Sequence, residues 1–128
     1  MDSKKRLEES KLFTPYKLGS VTLRNRVIRS AAFESMGKDF SPTQALKDYH
    51  VSVAKGGVGM TTVAYASINR SGISFNKQLW LRDEIVPALR DLTDAVHHEG
   101  AAVGIQLGHC GNMTHWSTAG SFPVSAAS

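Results

Sequence analysis

Two helical patterns interleaved with short runs that are apolar on both faces constrain this chain more than any other feature. Leu46, Tyr49 and Val53 recur at helical spacing and stop at Gly56-Gly57, and Ile85, Leu89, Leu92 and Val96 do so again before His97, His98 and Gly100. The runs at 27–32, 58–66 and 101–107 lack polar alternation, as strands covered on both faces do. A parallel pair needs a crossover, and the helices supply it, so the fold class is α/β with the order strand, helix, strand, helix, strand. Ahead of this unit, Leu18-Gly19-Ser20-Val21 reads as the turn of a small hairpin. Residues 1–11 read as a polar arm and 12–128 as one α/β unit.

Within this pattern Ser41 and Pro42 suit the cap and first turn of the first helix. Pro87 must lie in the first turn of the second, where a missing N–H costs little, or it forces the regular helix to begin a few residues after Asp83. The stretch from 67 to 82 reads as a long loop, and no helix is expected in the Ser- and Ala-rich tail after 119.

Composition removes several function classes. A chain of 128 residues has room for one core. A single cysteine forms no internal disulfide, which points to a reducing, cytoplasmic setting. The net charge of +4 comes partly from Lys4, Lys5 and Arg6 and from Arg24, Arg26 and Arg29, clusters too small for a nucleic-acid stripe. No run approaches the roughly 20 apolar residues of a membrane helix, and residues 1–10 are charged, so neither nucleic acid nor membrane is an expected partner.

In parallel α/β architecture ligands lie beyond the carboxyl ends of the strands. There the sequence places Ser30, Ala31, Ala32 and Phe33, followed by Glu34; then Ala64 and Tyr65; then Gln106, His109 and Asn112. Small residues let a flat ligand approach the backbone, and the Gln106 amide offers a donor and an acceptor to a heterocycle edge. Plain sheet packing for the small residues, and an inward amide satisfied by its neighbours for Gln106, are the competing readings. Cys110 and His115 near His109 lack the paired spacing of a metal site, so none is expected. Gly56-Gly57-Val58-Gly59 precedes a strand instead of following one, which removes a dinucleotide-binding loop.

Three stretches carry a family resemblance: Leu23-Arg24-Asn25-Arg26-Val27-Ile28-Arg29-Ser30-Ala31, Ala54-Lys55-Gly56-Gly57-Val58-Gly59-Met60, and Ile105-Gln106-Leu107-Gly108-His109-Cys110-Gly111. In this order and spacing they resemble the opening of the old yellow enzyme family of FMN-dependent NADH:flavin oxidoreductases. The resemblance implies a (β/α)8 TIM barrel of which this chain supplies the hairpin and three of eight strands. It implies FMN as cofactor, NADH or NADPH as reductant, and a small-molecule electron acceptor. Ser30, Ala31, Ala32, Phe33, Ala64, Tyr65 and Gln106 would contact the flavin, and His109 and Asn112 would face the substrate. The catalytic groups are expected downstream of this chain. Phe33 stands where many members have Cys or Thr, and Asn112 where an arginine is common.

The implied chemistry is hydride transfer from NAD(P)H to FMN and then to the β-carbon of an α,β-unsaturated carbonyl, the ene-reductase type. A barrel of this kind takes roughly 250 residues. The chain alone is therefore expected to be inactive, and to need the remainder of its barrel or further copies. The alternative is a non-catalytic α/β fragment or assembly module without bound flavin.

Overall fold

A computed structural model describes Arg6 and residues 10–125; the polar arm expected over 1–11 lies mostly outside the described residues. Beyond a 3-10 turn at Lys11–Phe13, strands β1 (Tyr16–Leu18) and β2 (Val21–Leu23) form the expected antiparallel hairpin, turning at Gly19 with a φ of 59°. Leu23 is its one buried anchor.

The parallel sheet is centred on β4 (Met60–Ser67). On one edge β4 pairs with β3 (Ile28–Arg29) and then, further along, with β5 (Leu79–Trp80); on the other it pairs with β6 (Ala102–Gly108). Helices α1 (Gln44–Lys55) and α2 (Val86–His98) cover one face. The core is where they meet it, in Leu46, Ala54, Val63, Ala66, Leu79, Leu92, Val96 and Ala101. Among the described residues the outer edges of β3 and β6 have no strand partner.

Several boundaries differ from the sequence reading. The first parallel strand ends at Arg29, and Ser30 and Ala32 are exposed coil instead of a buried continuation. Helix α1 is capped not by Ser41 but by Thr43, whose hydroxyl accepts the Leu46 N–H at 3.2 Å. Ser41 is instead committed to a tight turn through reciprocal backbone bonds with Lys38, so the helix cannot begin there. Its buried row is Leu46, His50 and Ala54, with Tyr49 and Val53 at the margin. Pro87 sits in the first turn of α2 as expected. The long loop contains β5, and a single helical turn, α3 (Trp116–Ala119), follows β6.

Candidate functional site

The carboxyl ends of β4 and β6 lie side by side, β3 having stopped opposite Thr61, and β4 carries an irregularity there. Val63 pairs with Ile105 and Ala66 with Leu107, so Ala64 and Tyr65 together face Gln106. Two residues against one is a β-bulge, a device that re-aims side chains beside functional sites. The three strand-end positions singled out on β4 and β6 are therefore the bulge and its partner. Gly108 faces the Tyr65 ring, where a Cβ would sit in ordinary contact, 3.4 Å from its Cδ2. Tyr65, Gln106, Leu107, Gly108, His109 and Cys110 line an open concavity of about 320 Å³.

Phe33 joins this group through its ring, 6.0 Å from Tyr65 edge to face, and stacks on Phe75 at 4.9 Å. Gln106 is exposed and its amide has no hydrogen-bond partner among the described residues. Ser30, Ala31 and Ala32 leave the sheet on the other edge of β4, with short side chains. A free amide with one donor edge and one acceptor edge, small neighbours and an aromatic flank form a donor set that fits a planar heterocycle.

His109 is arranged differently. Its Nδ1 accepts the Gly111 N–H at 3.0 Å, which fixes the proton on Nε2, 3.0 Å from the Ser71 hydroxyl. Nε2 thus ties the loop after β6 to the loop after β4, while Nδ1 braces the loop after β6 on itself. Asn112 is exposed and outside the concavity. A wider hollow of about 400 Å³ beside Val86, Pro87, Arg90, Asp91 and Asp94 lies along α2, away from the strand ends.

Behind the bulge is a buried ionic cluster that the sequence reading passed over. Glu34 Oε1 lies 2.9 Å from Arg29 Nη1 and 3.2 Å from His50 Nε2, and the carboxylate accepts the Ala64 N–H at 3.2 Å. His50 Nδ1 is 2.8 Å from the Thr61 hydroxyl, while its Nε2 faces Glu34 without hydrogen-bonding alignment. Burial by itself would raise the Glu34 pKa above its ordinary 4.5. The contacts from His50, from the backbone N–H groups of Glu34 and Ala64 and from Arg29 outweigh it and hold the carboxyl below that value. The one signal in the sequence was an acidic residue two places after a run of small ones.

A parallel-sheet sector with a bulged strand end and a free amide is the architecture of a barrel fragment. The family model of the NADH:flavin oxidoreductase / NADH oxidase family matches residues 11–126, and the chain belongs to that family. It is 44% identical over 119 residues to a probable N-methylproline demethylase of Rhizobium meliloti, covering 91% of this chain and 18% of that protein. It is 41% identical over 106 residues to an NADPH dehydrogenase of Listeria monocytogenes, of which it covers 31%. The old yellow enzyme homologue from Zymomonas mobilis superposes on 92% of this chain with a TM-score of 0.84 at 25% identity, the chain covering 33% of it. The chain thus spans between about a fifth and a third of these relatives' length, and its fold is a sector of the (β/α)8 barrel. FMN and NAD(P)H are the cofactors this membership assigns. Among the described residues no helix is long and apolar enough to cross a membrane.

Proposed function

We propose that these residues form one wall of the FMN site in a longer, cytoplasmic NAD(P)H-dependent oxidoreductase of the ene-reductase type, and that the chain alone is inactive. The observation that carries this reading is the unpartnered amide of Gln106 opposite the Ala64–Tyr65 bulge. In it, Gln106 meets the polar edge of the flavin, Ser30, Ala31 and Ala32 admit the ring to the backbone, and Phe33 and Tyr65 flank it. His109 holds the two loops at the substrate side, and Asn112 lies beyond it. The chemistry FMN supplies when bound is hydride acceptance from NAD(P)H and hydride donation to an electron-poor alkene. The chain's own residues bind and orient; the groups that polarise the substrate carbonyl and deliver a proton lie outside it.

The open edge of β6 supports the remainder of the barrel as the partner, as does the apolar groove of about 180 Å³ lined by Val63, Leu89, Leu92, Val103 and Ile105. In the full-length protein, Gln106→Ala is expected to weaken FMN binding by about 1–3 kcal/mol, the cost of leaving a buried polar edge unpaired. The 128-residue chain, assayed alongside, is expected to show no turnover. Unchanged FMN affinity in Gln106→Ala sinks the assignment of that side chain, and turnover by the short chain sinks its inactivity.

A further inference from the structure

Along one edge of β4 the strand partner changes. The last pair with β3 is Arg29↔Thr61, and the first with β5 is Ala66↔Leu79. Between them β4 runs past a gap, because the chain after Arg29 has left the sheet at Ser30. Backbone groups facing such a gap must be satisfied by something other than a strand. Arg29 Nη1 donates to the Thr62 carbonyl at 2.6 Å, and Glu34 accepts the Ala64 N–H at 3.2 Å. The same guanidinium nitrogen is paired to Glu34 at 2.9 Å, and Nη2 donates to the Ala32 carbonyl at 2.9 Å. One buried ion pair thus supplies the donor and the acceptor that a continued β3 would have supplied.

We propose that the Arg29–Glu34 pair is a positioning device for the flavin face. It replaces the missing strand rungs, so that Ser30–Phe33 can leave the sheet while Ala64 and Tyr65 stay registered opposite Gln106. This rests on the reading that FMN lies against that bulge. Other side chains pack around the pair. Arg29 Nε contacts the Tyr49 hydroxyl at 3.2 Å, and its guanidinium lies 5.1 Å from that ring. His50, fully buried, backs the carboxylate. Glu34 has 2% of its side chain exposed and Arg29 15%, so water does not readily replace either. Both residues act through the backbone of β4 and neither touches the concavity.

The test uses the full-length FMN-loaded protein and its Glu34→Gln variant. Glutamine keeps an acceptor for Ala64 but removes the charge that holds Arg29. The expected result is an FMN dissociation constant raised about tenfold, a displaced visible flavin band and faster exchange of the Ala64 amide, all well below the melting temperature. A lower melting temperature with the dissociation constant, band and exchange unmoved reduces the pair to a structural role and overturns the inference. If the wild-type protein binds no FMN, the functional reading falls and the inference falls with it. If FMN binds and Gln106→Ala weakens it while Glu34→Gln does not, the inference alone is lost. Where Glu34→Gln fails to fold, Ala64 amide exchange in the wild type decides. Protection at least a hundredfold above the random-coil rate supports the device, and unprotected exchange refutes it.

Discussion

Gly72 is the position where a single methyl group reaches the candidate site most directly. A Cβ built there lies 2.5 Å from His109 Cδ2 and 2.6 Å from Ser67 Oγ, whereas ordinary contacts begin about an ångström further out. Ser67 cannot yield: it is fully buried and its hydroxyl donates to the Asn69 carbonyl at 2.6 Å. The imidazole, which is exposed, must move instead, and its bonds to Ser71 and Gly111 stretch with it. Overpacking of this kind costs about 1–3 kcal/mol. The two hydrogen bonds add little more, since water replaces them at an exposed ring. In the full-length protein, Gly72→Ala is therefore expected to lose about 1–3 kcal/mol in denaturant unfolding. The His109 ring should also lose its fixed Nε2–H tautomer, read from its ring nitrogen shifts.

Gly57→Ala is the control. Gly57 has a φ of 97° and nothing within 4 Å of its Cβ position, so the cost there is about 1–2 kcal/mol of backbone strain alone, with the His109 signals unmoved. Wild-type stability and unmoved His109 signals in Gly72→Ala would refute the packing argument.

Two further outcomes follow from the same contacts. Because the folded Glu34 carboxyl titrates below its unfolded value of 4.5, its contribution is complete above that pH and is lost as pH falls through the lower folded value. With Arg29 and His50 facing it, the stability gap between wild type and Glu34→Gln should hold steady from neutral pH down to 4.5 and narrow only as the pH falls below that, read as urea midpoints at each pH. Thr43→Ala should cost about 1–2 kcal/mol in the same assay, since one hydroxyl accepts the Leu46 N–H and donates to the Met36 carbonyl at 2.5 Å; no loss would remove Thr43 as the cap.

What the sequence disclosed and what it hid divide along physical lines. The helices and the two long strands were legible because their apolar spacing is set by one core, and Pro87 marked the start of α2 within a residue. β5 was not, because Leu79–Trp80 is too short for periodicity and exists only where β3 has vacated the edge of β4. Ser41 misled because a cap depends on backbone conformation as well as residue type, and its backbone was already held by Lys38.

The site shows the same split. Ala64, Tyr65 and Gln106 stood out by chemistry, but that two of them form the bulge opposite the third is a fact of register. The Arg29–Glu34 pair was less legible still, since an i, i+5 spacing belongs to no helix or strand face. Its residues meet because the chain between them peels away from the sheet to expose Ser30–Ala32. A strand that ends early at a ligand site must leave polar groups on its neighbour unpaired. The shortness of β3 and the burial of two charges beside it are therefore one structural fact, and neither is explained without the other.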